Sequence, residues 1–393
     1  MAIRADQVAH GELAPVNPGW SFLLFLPLAL HLRHLLHWSR GLRQAWSRID
    51  PAEGAPSLDL TVVLPVRNEA ETLPRLLADL AGQSLWPSEV IVIDDASEDG
   101  TREAVESAGP FPFPLRIRPN PGTGKKAGLS AGIRESHTEW VVGLDADVRL
   151  GPTALAAMVE GLAGRHSEWD MALLPLRIAR RAEGPPEDML TGLQALDFAA
   201  MQGWAVAAVL RGRPAMASGG GWMWRRDAFP HDQLKPELPS GDDVFSLAAL
   251  IERGDGHRVG WIGDRRAMVS AGPMDTLGTL LDQRIRWGAK STRYPKALSE
   301  ARRVAWTVTT VHAAGLVLLV LDPLLGAAFW GTKSAADMAY TAQVGAMYTL
   351  LPKRRPHTLW SLFLLAISHP IFIATTLLLM PFRTGRWKGR PAT

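Results

Sequence analysis

Residues 58–82 read "LDLTVVLPVRNEAETLPRLLADLAG", an apolar run followed by a polar turn and by leucines at helical spacing. Residues 58–66 predict a strand, and the residues from Asn68 onward predict a helix. Asn68 is the expected N-cap of that helix, and Glu71, three residues later, is its expected capping-box partner. The stretch therefore predicts one strand–helix unit.

The same alternation of strand and helix continues along the chain. Further strands are predicted at 89–97, 114–120 and 140–148, and helices at 99–109, 125–136 and 152–163. This order predicts an α/β fold with a mostly parallel sheet. Ligands of such sheets bind at the carboxyl ends of the strands. The polar motifs PVRNE, DDAS and DAD all fall at those ends.

Composition restricts the classes of protein to which the chain can belong. It has 393 residues, of which 47% are hydrophobic, enough for a large core. The absence of cysteine excludes disulfides, zinc fingers, iron–sulfur clusters and thiol nucleophiles. The net charge is only +3, and basic residues cluster beside apolar segments, as they do at the cytoplasmic face of a membrane. We expect no nucleic-acid partner, because no basic stretch is interleaved with base-stacking aromatic residues.

Apolar segments near both ends predict membrane helices. Residues 304–330 and 359–382 are each long enough to cross a bilayer, which needs about 20 residues. Residues 334–351 are a weaker candidate, and residues 18–38 predict either an interfacial helix or a poor span. Basic residues on both flanks of the middle region predict that it is cytoplasmic. The orientation of the C-terminal region stays open.

These segments divide the chain into three predicted parts. Residues 1–50 are a membrane or interfacial helix with a basic linker, and residues 51–300 are the cytoplasmic α/β domain. Residues 301–393 are a transmembrane region of two or three helices. So few spans argue against a transporter.

Asp145 and Asp147 follow a buried apolar run in "VVGLDADVRL", residues 141–150. On a strand, residues at i and i+2 share one face, so the two carboxylates repel each other unless a cation lies nearby. Mg²⁺ or Mn²⁺ prefers oxygen ligands of this kind, together with a diphosphate. The alternative is a solvated turn that happens to contain two aspartates, and the tripeptide alone leaves both interpretations open.

Two further motifs could contact a nucleotide. Asp94 and Asp95 end a predicted strand, where a carboxylate can accept hydrogen bonds from a base or ribose, unless Asp95 or Ser97 only caps the next helix. Lys125 and Lys126 begin a helix in "NPGTGKKAGL", where the helix dipole disfavours positive charge unless an anion is near. The spacing fits neither the Walker nor the dinucleotide pattern. A nucleotide contact and a solvated lysine pair therefore both stay open.

Two motifs later in the domain could serve catalysis. Asp242 and Asp243 in "SGDDVF" lie at a predicted helix start, either as an N-cap or as a general base for an attacking hydroxyl. In "DQRIRW", Gln283 and Arg286 share a helix face with Trp287 beside them. A guanidinium can clamp phosphate, and an indole can stack on a sugar. The alternative is an interfacial helix with an aromatic belt.

The stretch "SGGGWMWRR", residues 218–226, combines three glycines with two tryptophans. Glycines allow a ligand to approach the backbone closely, and Trp222 or Trp224 could form a wall against an acceptor. Core packing is the expected role of at least one of the two indoles.

In this order, PVRNE, DDAS, GKKAG, DAD, GDD and QRIRW resemble the membrane-associated family 2 glycosyltransferases over about residues 58–296. That family includes ceramide-glucosyltransferase-like and carotenoid- and hopanoid-associated enzymes and, more distantly, cellulose and hyaluronan synthases. The resemblance implies an A-type, Rossmann-like glycosyltransferase domain with membrane helices on both sides. It also implies a metal-dependent hexosyltransferase that uses Mg²⁺ or Mn²⁺, a nucleotide-sugar donor (a UDP-sugar is expected) and a lipid acceptor.

The resemblance further implies which residues bind the nucleotide. Asp94 and Asp95 match the nucleotide-binding aspartates, with Asp95 favoured. Pro65 and Glu69 would line the base and the ribose. Lys126, of the lysine pair, matches the lysine that contacts the nucleotide.

The remaining motifs match the catalytic machinery of the family. Asp145 and Asp147 correspond to the D-x-D pair that holds the metal and the diphosphate. Asp243, with Asp242 as second choice, corresponds to the catalytic base. The Q-x-x-R-W motif that begins at Gln283 would close over the diphosphate, and its arginine would stabilise the leaving group in one inverting displacement.

Two rival functions share part of this pattern. A processive polysaccharide synthase has every motif but needs a channel of several long spans. A catalytically inactive nucleotide-binding scaffold on the membrane would not need an intact base, metal ligand and arginine clamp. The predicted spans and the basic flanks of the middle region together predict an integral protein of the bacterial inner membrane, with its catalytic domain in the cytoplasm.

Overall fold

A computed structural model of the chain describes residues 18–46, 59–163, 165, 167–182, 186, 188–235, 241–291, 293–350, 356–380, 382, 386–387 and 390–391. Within these residues, an α/β domain packs against helices that come from both ends of the chain. Residues 1–17 and 47–50 of the predicted N-terminal part lie outside the described residues, as do residues 236–240.

The described strands follow the chain from the first predicted strand onward. They are β1 (Leu60–Val66), β2 (Glu89–Asp94), β3 (Leu115–Pro119), β4 (Trp140–Leu144), β5 (Val148–Leu150), β6 (Met171–Leu173), β7 (Leu176–Ile178), β8 (Gly221–Arg225), β9 (Val259–Trp261), β10 (Val269–Ala271), β11 (Arg386–Trp387) and β12 (Arg390–Pro391). The four strands predicted from the sequence correspond to β1–β4, which confirms them.

The described helices alternate with the early strands and then dominate the C-terminal part. They are α1 (Pro18–Leu42), α2 (Leu73–Ala81), α3 (Thr101–Ala108), α4 (Lys125–Glu135), α5 (Ala154–Leu162), α6 (Met189–Val209), α7 (Asp242–Glu252), α8 (Leu277–Ser291), α9 (Ser299–Leu321), α10 (Pro323–Met347) and α11 (Pro356–Leu379).

The main sheet has seven strands in the order β3-β2-β1-β4-β8-β6-β9. Strand β1 pairs in parallel with β2 and β4, and β2 pairs in parallel with β3, whereas β8 runs antiparallel to both β4 and β6. A second sheet has the order β5-β10-β7. The mostly parallel α/β prediction is confirmed, and the parallel strands bring their carboxyl ends to one edge.

The first predicted helix begins later than the sequence indicated. Helix α2 starts at Leu73 after Thr72, and Asn68 has a φ of 53°, so Asn68 and Glu71 form no capping box there. The first four residues of the predicted helix instead form a loop that bonds to the loop after β2. Contacts between segments far apart in sequence thus outweigh the local capping signal.

Both tryptophans of the glycine-rich stretch belong to the core. Trp222 and Trp224 lie on β8 and are fully buried. Both rings pack on Phe229, with centroids 5.9 and 5.4 Å away. The interpretation of either indole as a wall against an acceptor is wrong.

Helices α1, α6, α9, α10 and α11 form a bundle beside the sheets. The first predicted span, 304–330, is not one helix: α9 ends at Leu321, and Asp322 caps α10 by accepting hydrogen bonds from two backbone N–H groups. Proline after a capping aspartate favours a new helix start. Of the described helices, Lys296–Leu321 and Trp360–Leu379 are long and apolar enough to cross a membrane.

Candidate active site

The loops after β1 and β2 are bonded to each other. Arg67 donates hydrogen bonds to the carbonyls of Asp95 and Ala96 at 2.7 and 2.8 Å. The N–H of Asn68 donates to the Ser97 hydroxyl at 3.0 Å. Asn68 and Ala96 both have positive φ values, 53° and 55°, a strained conformation that the surrounding bonds hold in place. PVRNE and DDAS thus form one rigid rim at the edge of the sheet.

The two aspartates of this rim have hydrogen-bond partners inside the protein. Asp94 Oδ1 accepts from the N–H and hydroxyl of Ser97 at 3.0 and 2.6 Å. Asp95 Oδ1 accepts from the Asn120 amide and the Gly124 N–H, both at 3.0 Å. Asp95 therefore anchors the loop before α4. Neither Asp95 nor Ser97 caps α3, so that alternative interpretation is wrong.

Pro65 and Glu69 lie at the same rim. Pro65 packs against α4, since a Cβ atom on Gly128 would lie 3.1 Å from the Pro65 Cβ. Glu69 is buried, its carboxylate accepts a hydrogen bond from the Thr72 hydroxyl, and its N–H donates to the Thr101 hydroxyl. Their contacts with a base or a ribose stay predictions.

Asp145 and Asp147 lie in a turn, not on a strand. Strand β4 ends at Leu144 and β5 begins at Val148, so the prediction that the two side chains share one face of a strand is wrong. The Val148 N–H lies 3.4 Å from the Asp145 carbonyl, which closes the turn. Asp145 is half-buried and Asp147 is exposed, and the two carboxylates still interact electrostatically.

Lys125 lies at the centre of the site. Its Nζ atom is 2.6 Å from Asp145 Oδ1 and 3.1 Å from Asp242 Oδ2, and it donates a hydrogen bond to the Gly219 carbonyl at 3.0 Å. The start of α4 thus contacts the turn after β4, the start of α7 and the backbone before β8. The side chain is only 15% exposed, so Lys125 is not a solvated lysine.

Lys126 points elsewhere. Its Nζ donates to the Lys235 carbonyl at 2.8 Å and lies 4.8 Å from the centroid of the Phe245 ring. Lys126 is 4% exposed and holds the chain near residue 235 against α7. Of the two lysines, the structure brings Lys125, not Lys126, to the D-x-D turn.

Asp242 and Asp243 begin α7, as the sequence predicted, but neither is its N-cap. Gly241 takes that position with a φ of 91°, and Asp243 Oδ1 accepts a hydrogen bond from the Val244 N–H of the first turn at 2.8 Å. Asp242 is buried, and its Oδ2 atom has no hydrogen bond although it lies within ion-pair distance of Lys125. A Cβ atom on Gly219 would lie 3.5 Å from Asp243 Oδ2, so Asp243 lies beside the group formed by Lys125, Asp145, Asp242 and Gly219. We call this region the cleft.

Helix α8 brings the Q-x-x-R-W motif to the cleft. Arg286 interacts electrostatically with Asp145 and is mostly buried. The Trp287 ring packs on Phe198 and lies under the Arg284 guanidinium, 4.3 Å from the ring centroid. These contacts support the helix, and stacking of the indole on a sugar stays a prediction.

Gln283 and Arg284 join the motif to the bundle. The Gln283 side-chain oxygen accepts a hydrogen bond from Arg284 at 3.3 Å, and Arg284 pairs with Asp197 on α6 at 2.5 Å. The contact of Gln283 with a diphosphate stays a prediction.

Burial and the nearby carboxylates shift the pKa values of Asp145 and Lys125 in the cleft. Burial raises the pKa of Asp145 to about 6; Lys125 opposes the rise, and Asp147 and Asp242 add to it. Burial alone would lower the pKa of Lys125, but Asp145, Asp242 and Asp243 raise it above its usual value. Lys125 therefore stays charged among these acidic groups.

The oxygen atoms of the cleft suit a divalent cation that takes further ligands from its substrate. Among the described residues, no three His, Cys, Asp or Glu side chains gather around one point. Mg²⁺ is commonly held by one or two carboxylates together with substrate phosphates and water. Asp145 and Asp147 meet that requirement, and the buried Asp242 Oδ2 lacks a hydrogen-bond donor.

Sequence reasoning missed three residues of this region. Gly219 supplies a carbonyl to Lys125, Tyr294 interacts with Asp243, and Arg67 fixes the rim. Gly219 lies in the glycine-rich stretch and Arg67 lies in PVRNE, so two motifs recognised in the sequence contain them. Tyr294 follows α8 by only a few residues, but no local pattern marks it.

Comparison with known proteins gives one family match. Residues 61–167 match the family described as Glycosyl transferase family 2. Similar proteins include the 4,4'-diaponeurosporenoate glycosyltransferase of Staphylococcus haemolyticus, 30% identical over 37% of this chain and 43% of that protein. The cholesterol galactosyltransferase of Borreliella burgdorferi is 29% identical over 35% of this chain and 40% of that protein. The chain spans less than half the length of these relatives.

Among solved structures, the mannosyltransferase of Pyrobaculum calidifontis in complex with GDP-Man and Mn²⁺ has a similar fold. It covers 92% of this chain and 99% of its own, with a TM-score of 0.57 and 17% identity. The similarity confirms the predicted A-type α/β fold. The match to the family covers residues 61–167 only, and the solved structure shows a likeness of fold alone.

Proposed function

We propose that this protein is an inverting, metal-dependent glycosyltransferase that moves a sugar from a nucleotide-sugar donor to a hydroxyl group of a membrane lipid. One observation carries the proposal: the D-x-D turn, the start of α7 and the motif on α8 meet around Lys125 in a single cleft. The match to Glycosyl transferase family 2 supports it, since residues 61–167 include Lys125, Asp145 and Asp147.

The nucleotide would lie along the rim after β1 and β2. Asp95 holds the loop of residues 120–124 and would accept hydrogen bonds from the base or ribose. Pro65 and Glu69 form the adjacent wall. The donor's diphosphate would then reach the turn of Asp145 and Asp147.

Asp145 and Asp147 would hold Mg²⁺ or Mn²⁺ against the diphosphate. The cation, when bound, supplies charge stabilisation for the departing diphosphate. Arg286 lies near Asp145 and would contribute a second positive charge to that leaving group. The half-buried cleft strengthens both effects, because water screens charges less there.

Asp243 is the better candidate for the base. Asp242 is buried and faces Lys125, whereas Asp243 is half-buried at the cleft. Asp243 would take the proton of the acceptor hydroxyl as its oxygen attacks the anomeric carbon. The bond from that carbon to the diphosphate oxygen breaks in the same step, which inverts the configuration.

A lipid acceptor fits the remaining features of the chain. The named substrates of similar proteins include diaponeurosporenoate, cholesterol and undecaprenyl phosphate, all of them lipids. The two apolar helices Lys296–Leu321 and Trp360–Leu379 come after α8 in the chain, and α8 carries Arg286. We propose an integral protein of the bacterial inner membrane, with the cleft on the cytoplasmic side.

Sugar transfer by purified, detergent-solubilised protein tests this function. The assay offers UDP- and GDP-sugars with extracted membrane lipids, with and without Mn²⁺. We expect Mn²⁺-dependent labelling of a lipid, and loss of the labelled lipid in Asp147→Ala. A long polymer as the product would instead support a processive synthase, and nucleotide binding without turnover on any donor would support an inactive scaffold.

A further inference from the structure

The ammonium group of Lys125 is surrounded by three oxygen atoms from different segments of the chain. One comes from the D-x-D turn (Asp145), one from the start of α7 (Asp242) and one from the backbone before β8 (Gly219). The three lie 2.6 to 3.1 Å from the nitrogen. These oxygen atoms form a binding site for a positive charge, and in this structure the Lys125 ammonium group occupies it.

The same carboxylate is needed by the cation of the proposed reaction. Mg²⁺ binds carboxylate oxygens directly, at about 2.0–2.1 Å. Asp145 Oδ1 is 2.6 Å from the Lys125 nitrogen, so a divalent cation on this carboxylate lies close to a positive charge that is already there. Lys125 therefore opposes a divalent cation at Asp145 for as long as its ammonium group stays in place.

Withdrawal of Lys125 is unfavourable unless the ammonium finds another anion. The side chain is 15% exposed, and the Asp242 side chain beside it is 7% exposed. Separating a poorly hydrated ion pair leaves both charges without compensation. A diphosphate that enters with the cation offers Lys125 new oxygen partners close to the position that it leaves.

We propose that Lys125 is an exchangeable counter-ion, which neutralises Asp145 and Asp242 in the ligand-free protein and moves to the diphosphate when cation and nucleotide bind together. The inference rests on the proposed function for the position of the diphosphate. It makes Lys125 a positioning residue for the cation and a direct contact of the nucleotide.

The exchange predicts how strongly the two ligands depend on each other. Mn²⁺ alone is repelled by Lys125 and offers the ammonium group no new partner, whereas UDP offers one. UDP should therefore tighten Mn²⁺ binding, and Mn²⁺ should tighten UDP binding by the same factor. Couplings of this kind amount to roughly 5–150-fold in affinity.

Electron paramagnetic resonance of Mn²⁺ measures this coupling directly on the purified full chain. Titrations with and without UDP compare the wild type with Lys125→Met and Lys125→Arg. Lys296→Met is the control for loss of a lysine charge, because Lys296 is exposed. In Lys125→Met we expect Mn²⁺ alone to bind at least tenfold more tightly than in the wild type, with the enhancement by UDP reduced in proportion. Lys125→Arg, which keeps the charge, should retain part of the coupling, and Lys296→Met all of it.

A thermal shift by Mn²⁺ keeps the test decisive if Lys125→Met is unstable. The variant leaves Asp145 and Asp242 without their cation, so Mn²⁺ without UDP should stabilise it more than it stabilises the wild type. Lys125→Gln provides the same comparison with a polar side chain. Equal or weaker Mn²⁺ binding in both neutral variants would overturn the exchange. This result is separable from failure of the proposed function, which would show as no sugar transfer and no UDP binding by the wild type.

Discussion

In the helical bundle, Asp337 accepts hydrogen bonds from His31 and Lys333 at 2.7 and 2.6 Å, one on each of its oxygens. In the cleft, Lys125 lies 2.6 Å from Asp145, whose side chain is still 37% exposed to water. Both clusters pair a buried lysine with an aspartate. The carboxylate in the bundle uses both oxygens on partners inside the protein, whereas that in the cleft keeps an accessible surface.

Asp242 extends the contrast. Its Oδ2 atom is buried and lacks a hydrogen bond, although it lies 3.1 Å from the ammonium of Lys125. Buried polar atoms are usually bonded, so an exception calls for an explanation. We infer that the complete cluster holds the helices together, whereas the cluster in the cleft is open to a ligand. The two clusters therefore predict different consequences of mutation.

The largest effect should come from the proposed base. Asp243→Asn removes the proton acceptor and should lower kcat by about 10²–10⁴-fold, the range of general-base catalysis. The protein should unfold at nearly the same temperature, because Asp243 is half-buried at the rim of the cleft. Steady-state transfer kinetics measure the loss, with the exposed Asp232→Asn as control. Retention of full activity in Asp243→Asn would leave Asp242 as the base.

Arg286→Ala should have the next largest effect. It removes a positive charge near the leaving diphosphate, and loss of one such group commonly costs about 10²–10³-fold in kcat. Arg284→Ala provides the contrast, because Arg284 pairs with Asp197 in the bundle and supports Trp287. We expect Arg284→Ala to lower stability more than Arg286→Ala does. Transfer rates and thermal unfolding of both variants measure the difference; equal profiles would contradict the division of roles on α8.

Asp337→Asn should act on stability alone. It leaves Lys333, which is 2% exposed, without its carboxylate, and removal of one partner from a buried pair costs roughly 3 kcal/mol. The apparent Tm in detergent should fall by several degrees while the KM for the donor is unchanged. The exposed Asp275→Asn should leave both values unchanged. An altered donor KM in Asp337→Asn would show that the bundle cluster also serves the cleft.

The smallest expected effect is a pH dependence of the ligand-free protein. The pKa of Asp145 is raised to about 6, so the folded state binds a proton more tightly than the unfolded state, where the pKa is near 3.8. Stability from this group is then present below about pH 4 and declines as the pH rises towards 6. Urea unfolding across this range should show the decline, and Asp145→Asn should remove it. A wild-type profile without this contribution would contradict the raised pKa of Asp145.

Much of the sheet could be predicted because its strands are apolar runs bounded by turn residues. Strands β1, β2 and β4 are buried on both faces, and such strands read as continuous hydrophobic stretches. The meeting of the motifs could be predicted as well, since parallel strands end at a common edge.

Contacts between distant segments could not be predicted. Lys125 reaches Asp242 across more than a hundred residues, and two adjacent lysines gave no indication which of them enters the cleft. The capping signal at Asn68 was overridden by bonds to the loop after β2. Asp145 was assigned to a strand because the apolar run continues to its edge, whereas the turn depends on a bond from Val148. The domain boundaries at 50 and 300 stay predictions.

A structure of the purified protein with Mn²⁺ and UDP tests the central claim most directly. Anomalous scattering from Mn²⁺ locates the cation independently of the protein atoms. We predict a manganese peak at direct-ligand distance from carboxylate oxygens of Asp145 or Asp147, with a phosphate oxygen of UDP among its ligands, and the Lys125 nitrogen moved from Asp145 to a phosphate oxygen. UDP and manganese bound away from the D-x-D turn, with Lys125 still on Asp145, would contradict it.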